Sequence, residues 1–416
     1  MRDSFIDKIM PAEPDRHICW DVLNHETNTT QSFNIKLDAL LYKKTLPHAT
    51  VYFNWYENLF KQSTFFHEPS ESLAELQRQR ALEIRNKYSY VRLWLSGGAD
   101  SITALNAFLD NDIHLDEIIL FSRPDVNLSD LSKSSNREIL MSALPYLEFR
   151  KDKLSKTKIN NITLTKHDYK SVLGGPDKLG FIPYLESIDC GSFLYGMNNS
   201  QLVWKKVITE NYHEDFCDVF GGTKATICNK DGNYYFYFVD AGLTDMALGS
   251  RSEDFFISKT NPKLFIKTAH MLKKYAQVKQ LSPAELIMFQ SKSEYRNDYN
   301  LALGRSLAYN SVAGAKHDQG DGLFSHKVKH VIVNYKHFLF VENMSADEEW
   351  HKMFLTHHEN LKIMKDQFDW IWNTDKYGIP DPQKGYKGHV SKLYSLDRYL
   401  IAASHEIYKD DFLDER

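Results

Sequence analysis

The chain reads as an α/β protein built on a parallel, twisted sheet with flanking helices, and three observations predict that class. Apolar runs of strand length recur at Tyr90-Val91-Arg92-Leu93-Trp94-Leu95, Glu117-Ile118-Ile119-Leu120-Phe121-Ser122 and Ile162-Thr163-Leu164-Thr165. Helical segments lie between them, Ile102-Thr103-Ala104-Leu105-Asn106-Ala107-Phe108-Leu109 and 136–149. Strands separated by helices need crossover connections, and crossovers make neighbouring strands parallel. The third observation is the tight Ser96-Gly97-Gly98-Ala99-Asp100-Ser101 loop that joins the first strand directly to a helix, as βα units do. The length, 416 residues, separately exceeds what one compact core organises. The expected division is a small α+β cap at 1–68, a central α/β domain at 69–290, and a mainly helical C-terminal region at 291–416.

In the cap, His17-Ile18-Cys19-Trp20-Asp21-Val22-Leu23 is strand-like and 24–30 is polar. Ser32-Phe33-Asn34-Ile35-Lys36-Leu37 then alternates, and Val51-Tyr52-Phe53-Asn54-Trp55-Tyr56 is an aromatic stretch. Pro69-Ser70-Glu71-Ser72 marks a boundary, with Ser70 as the expected N-cap of a helix over Leu73–Lys87. Leu73, Leu76, Ala81, Leu82 and Ile84 form its apolar stripe. Beyond the three strands, 228–239 reads as a hairpin turning at Asp231-Gly232-Asn233, and 262–277 as a helix.

Composition narrows the function classes. Hydrophobic residues at 42% and charged residues at 25% belong to a folded protein rather than a disordered one. Aromatic content of 13% is assigned mainly to cores. A net charge of −4 argues against a general polyanion binder and leaves only a local basic groove open. No apolar run approaches the roughly 20 residues that span a bilayer. The first residues, Met1-Arg2-Asp3-Ser4-Phe5-Ile6-Asp7, are too acidic for a secretory signal. Cys19, Cys190, Cys217 and Cys228 are scattered, so reduced, buried thiols in a cytoplasmic protein are expected rather than disulfides or a zinc cluster.

The sharpest signal is Ser96-Gly97-Gly98-Ala99-Asp100-Ser101, set between an apolar strand and a helix. Glycines let the backbone turn tightly and let amides approach a ligand without a Cβ in the way. The helix after it presents unsatisfied N–H groups and partial positive charge to the same place. That combination is an anion site. Ser96 and Ser101 add hydroxyl donors, and Asp100 supplies a carboxylate suited to Mg²⁺ on a phosphate chain. No Lys comes after the glycines, so this is not a Walker loop, and it lacks the Gly-x-Gly-x-x-Gly of a dinucleotide site.

The motif resembles the pyrophosphate-binding loop of the N-type ATP pyrophosphatase (PP-loop) superfamily, which includes the synthetase domain of asparagine synthetase and the GMP and NAD synthetases. The resemblance covers roughly 90–227. It implies an adenine nucleotide alpha hydrolase-like fold, ATP and Mg²⁺ as cofactors, and attack of a substrate oxygen on the α-phosphorus with loss of pyrophosphate. An amine, ammonia or sulfur nucleophile then displaces AMP. On this reading Gly97, Gly98 and Ala99 contribute backbone, Ser96 and Ser101 hydroxyls, and Asp100 the metal carboxylate. The end of the second strand, Phe121 and Ser122, is expected along the adenine, although Phe121 fits a core role equally well.

Gly221-Gly222-Thr223-Lys224-Ala225 stands where related synthetases carry a second glycine-containing loop, but the Gly-Ala-Asp-Glu of asparagine synthetases is missing. Lys224 is the candidate to offer positive charge to the phosphates; its alternative is a solvated turn lysine. Asp240 and Asp245 are possible metal carboxylates, with turn roles as the plainer reading. Arg123 and Arg251 suit a carboxylate substrate or an ordinary surface. His317, Asp318 and Asp321 have metal-ligand types, yet their neighbouring glycines mark an exposed turn. His357, His358 and Glu359 match no metal spacing.

Residue two is Arg2, not the cysteine of an asparagine-type glutaminase, so ammonia, an amine or a separate nitrogen-donor protein is the expected source. The scattered cysteines disfavour sulfur transfer and a deazaguanine-type zinc cluster. The expectation is therefore an ATP-dependent ligase acting on a small carboxylate or carbonyl compound. Two alternatives stay open: a nucleotide-binding protein without turnover, and a nucleic-acid-modifying adenylating enzyme, which the near-neutral charge disfavours.

Overall fold

The structure is a computed structural model that describes residues 18–33, 45–122, 139–163, 216–221, 226–238, 252–291 and 391–402, with positions 39, 42, 43, 299 and 302. β1 (Ile18–Asn24), β2 (Thr29–Phe33) and β3 (Ala49–Trp55) form an antiparallel sheet in the order β2-β1-β3. Asp21 on the middle strand accepts from both neighbours, from Ser32 Oγ at 2.5 Å and Asn54 Nδ2 at 2.8 Å. A short helix, α1 (Glu57–Lys61), comes after β3.

Next comes α2 (Leu73–Lys87), whose N-cap is Ser72 rather than the expected Ser70. The Ser72 hydroxyl accepts from the Glu75 amide at 3.2 Å. A capping oxygen must sit directly before the first helical residue to reach that amide, and Ser70 lies too far upstream. The chain then forms β4 (Tyr90–Trp94), α3 (Ala99–Leu109), β5 (Glu117–Ser122), a π-helical turn (Ile139–Ala143), α4 (Leu144–Phe149) and β6 (Lys158–Thr163). After β7 (Phe216–Phe220), the hairpin β8 (Thr226–Lys230) and β9 (Asn233–Tyr237) leads to β10 (Ser252–Asp254), α5 (Lys263–Val278) and α6 (Pro283–Ser291). β11 (Leu393–Ser395) and β12 (Ile401–Ala402) complete the described elements.

The central sheet has five strands, all parallel, in the order β10-β7-β4-β5-β6. The protein is therefore α/β. The third strand of the sequence reading begins earlier than expected, because Asn160 and Asn161 pair with Ile119 and Leu120. Strand pairing overrides the weak strand preference of asparagine. Every residue of β4 beyond Tyr90 is buried, as a strand covered on both faces must be.

One face of the sheet carries Val91, Leu93, Ile118, Leu120, Cys217 and Val219, which pack with Ile84 of α2 and with Ile102, Leu105 and Phe108 of α3. Ile102, Leu105 and Phe108 recur at helical spacing on α3. The opposite face carries a buried ion pair. Arg92 on β4 is directly opposite Asp218 on β7. Its Nε and Nη2 donate to the two carboxylate oxygens at 2.8 and 2.9 Å, and Trp94 Nε1 adds a third bond at 2.9 Å. The guanidinium also lies 4.2 Å from the Phe216 ring.

A second ionic cluster ties α2 to β10. Arg80 Nη2 bonds Glu253 at 2.9 Å and the Asp254 carbonyl at 2.7 Å, while Lys87 and Tyr88 reach the other Glu253 oxygen at 2.8 and 2.9 Å. Burial alone would raise the Glu253 carboxyl, but Arg80, Lys259 and Lys87 outweigh it and hold it down at about 2.

The remaining strands form an antiparallel sheet, β12-β11-β9-β8. Asp231 and Gly232 both have positive φ, 51° and 80°, and make the tight turn between β8 and β9 that the sequence predicts. At β8, the outer strand, Gln290 of α6 donates to the Ile227 carbonyl and accepts from its amide, both at 2.7 Å. Phe60, Phe65, Phe236, Phe265 and Tyr394 meet in one aromatic cluster, with Phe236 stacked on Tyr394 at 4.9 Å. Side chains from the expected cap, central domain and C-terminal region thus share a core. The described part of 291–416 beyond Ala302 is the strand pair β11–β12; the helices expected there fall outside the described residues. No helix among the described residues is long and apolar enough to cross a membrane.

These contacts set two outcomes. Arg92→Met leaves the buried Asp218 carboxyl without its guanidinium partner, and should cost about 3–5 kcal/mol in urea unfolding, while adding Asp218→Leu restores most of it. The lowered Glu253 carboxyl contributes stability above pH 4.5 and loses it as pH falls toward 2. That contribution is about 3 kcal/mol, so Glu253→Gln should flatten the acid limb of a stability–pH curve.

Candidate functional site

The loop 96–101 leaves the carboxyl end of β4, the middle strand of the parallel sheet. The next strand of that sheet in sequence, β5, lies on one side of β4, and β7 lies on the other. The chain reverses its winding direction between β4 and β7, and in open α/β sheets ligands bind in the crevice that such a reversal opens.

Gly97 has φ of 87°, a left-handed conformation that a side chain strains. Gly98, at φ −72° and ψ 162°, is the N-cap of α3. The helix therefore begins inside the motif rather than after it. Ala99, Asp100 and Ser101 occupy its first turn, where backbone amides have no partner within the helix. Asp100 at this end also complements the helix dipole.

Hydroxyls close a small ring around the turn. The Gly98 amide donates to Ser96 Oγ at 3.2 Å, and Ser101 Oγ donates to the Gly98 carbonyl at 3.1 Å. Ser96 and Ser101 hydroxyl oxygens lie 3.1 Å apart, so Ser96 is the donor between them. Ser96 is exposed and Ser101 is buried. Ser142, from the π-helical turn, donates to the Gly97 carbonyl at 2.5 Å.

Gly221, just past β7, packs directly against the backbone of the same turn. A Cβ on it would lie 2.8 Å from the Asp100 carbonyl and 3.0 Å from the Ser101 amide. Only a residue without a side chain fits there. Beneath the two loops, Trp94 and Phe220 pack at 5.2 Å between ring centroids.

Ser96 through Ser101 thus form one turn and helix start at the end of β4, and the fold adds Gly221 against it. The backbone of Phe121 and Ser122 ends β5 on the same edge of the sheet. Lys224 lies outside the described residues, as do Arg123, Cys190, Asp240, Asp245, Arg251, His317, Asp318, Asp321, His357, His358 and Glu359. Cys217 and Cys228 are buried. Burial raises the Cys217 thiol, with Glu253 and Asp218 adding to the effect. Such a thiol is a poor nucleophile. Ser142 carries no sequence signal, since it is a serine in a helical segment 45 residues from its partner.

Among the described residues no three potential ligands of the His, Cys, Asp or Glu type gather. Mg²⁺ on a phosphate chain needs only one or two carboxylates, and Asp100 fits that donor set. A cluster of amides, hydroxyls and one carboxylate at a helix N-terminus is able to hold a polyphosphate with its cation. No family model matches the chain, and no curated protein matches its sequence.

The glycine geometry makes a ranked prediction for urea unfolding. Gly97→Ala should lose about 1–2 kcal/mol through its left-handed φ. Gly221→Ala should also destabilise, by pushing on the Asp100 backbone. Gly98→Ala, whose Cβ would meet only Ser96 Oγ at 3.4 Å, should cost less than Gly97→Ala, a loss confined to alanine being a poorer helix cap than glycine.

Proposed function

We propose that this chain is an AMP-forming ligase of the ATP pyrophosphatase type, with an adenine nucleotide alpha hydrolase-like central domain. The observation that carries the reading is the Ser96–Ser101 turn at the winding reversal of a parallel sheet, with Gly221 against the Asp100 backbone. A phosphate chain needs backbone donors that are close and unshielded, which the Gly97-Gly98 turn supplies, while Gly221 lets the second loop pack against Asp100.

The residues divide the work. The amides of the first turn of α3, with the Gly98 amide, grip the β- and γ-phosphates. Ser96 Oγ accepts from the Gly98 amide at 3.2 Å, so an anionic oxygen competes with it for that donor. Ser96 and Ser101 hydroxyls are free to reorient toward phosphate oxygens once that ring opens. Asp100 would hold Mg²⁺, which neutralises charge on the phosphate oxygens when bound. A substrate carboxylate or carbonyl oxygen attacks the α-phosphorus, and the bond to the bridging oxygen breaks. Pyrophosphate leaves with the electron pair, and the loop donors stabilise the charge that develops on it. Ammonia or an amine then displaces AMP from the adenylate. Lys224 is the candidate for further positive charge, and Phe121 and Ser122 for the adenine side.

The test is to incubate the full chain with ATP, Mg²⁺ and a small-metabolite extract, and to resolve nucleotide products by mass spectrometry. AMP with pyrophosphate is expected, and the adduct formed identifies the acceptor. ADP with phosphate overturns the mechanism. Asp100→Ala should lower ATP·Mg²⁺ affinity by about tenfold or more, the loss of one charge-assisted contact. An unchanged affinity removes Asp100 from the site.

A further inference from the structure

We propose that Ser142 is a positioning residue that sets the direction of the Gly98 amide, and so the competence of the loop to bind a phosphate anion. The inference rests on the phosphate-binding reading of that loop. Its basis is a hydrogen bond between distant segments: buried Ser142 Oγ donates to the Gly97 carbonyl at 2.5 Å. No peptide among the described residues is cis. In a trans peptide the carbonyl and the N–H of the same unit point in opposite directions. A Gly97 carbonyl held by Ser142 therefore turns the Gly98 N–H away from Ser142, toward exposed Ser96 Oγ, its acceptor at 3.2 Å.

Left alone, a Gly-Gly peptide flips readily, because neither residue has a Cβ to bias it. A flip would point the carbonyl into the loop mouth, where it repels an anion. The bond from Ser142 opposes that flip, since a buried carbonyl without a donor is costly.

Ser142 is itself held by contacts that do not involve the loop. It sits on the π-helical turn Ile139–Ala143, and Ile139, Ala143 and Leu147 are buried in the main core. At the end of α4, Arg150 bonds Asn106 at 3.1 Å and Asp110 at 2.5 Å, at the far end of α3, and Tyr146 bonds Asn106 as well. A π-turn admits an extra residue into a helix and re-aims side chains, a device common at functional sites. Here it directs a hydroxyl inward.

The experiment compares wild type, Ser142→Ala and Ser142→Thr as full chains, using Mg²⁺ with inorganic pyrophosphate as the probe. Calorimetry gives affinity, thermal melting gives stability, and hydrogen–deuterium exchange tracks the peptide that contains 96–101. Ser142→Ala should bind about tenfold more weakly, with faster exchange in that peptide and a melting temperature within about 3 °C of wild type. Ser142→Thr, which keeps the hydroxyl, should restore binding. Should the alanine variant fail to fold, Ser142→Cys carries the comparison, with an intermediate affinity expected from its weak donor. Wild-type affinity in the variant lacking a good donor, or unchanged exchange at 96–101, overturns the inference and leaves the phosphate reading standing. Absence of pyrophosphate binding by wild type overturns that reading, and this inference with it.

Discussion

The bidentate pair between Arg92 and Asp218 fixes how β4 and β7 lie against each other, and the carboxyl edge of the sheet depends on that register. A slip of one residue would turn every side chain of a strand to the opposite face. With charge on one face and Val91, Leu93, Cys217 and Val219 in the core on the other, a slip would bury one ion without its partner. The register in turn sets the distance between the loops that leave the two strands. Ser96 lies just past β4 and Gly221 just past β7, so the pair aligned below them brings Gly221 against the Asp100 backbone. Removing ions from water is expensive, and the return here is specificity of pairing at the place where two loops must meet.

Two further devices hold the frame together. Arg80 and Glu253 fasten α2 to β10, the outermost described strand beside β7, through a charge pair and backbone carbonyls. The aromatic cluster around Phe60, Phe236 and Tyr394 joins segments separated by most of the chain. Ring pairs of this kind add directional preference to plain burial of apolar area. The central sheet is thus clamped on its β10 side by charge, while the antiparallel sheet and the N-terminal segment are packed together by rings.

Much of the frame was legible in the sequence. The strands at Tyr90 and Glu117 and the helix at Leu73–Lys87 come directly from apolar runs and spacing. Asp231-Gly232 announces its hairpin, because few residue pairs accept two positive φ angles. The misplacements have physical reasons. Ser72 caps α2 although Ser70 is equally suitable in type, and the start of α3 lies within the glycine motif because Gly98 itself serves as its cap. β6 begins at Lys158 because β5 offers it a ladder, which no local preference of Asn160 or Asn161 reveals.

By itself the sequence determined the parts that local chemistry controls: a glycine turn able to approach an anion, a helix directly after it, and alternating strands and helices that force a parallel sheet. Only the tertiary structure decided which distant residues complete those parts. Ser142 against the Gly97 carbonyl, Gly221 against Asp100, and Asp218 beside Arg92 join positions far apart along the chain. Such pairings have no period and no motif in one sequence, because they arise from burial that forces each polar group to find a partner in three dimensions.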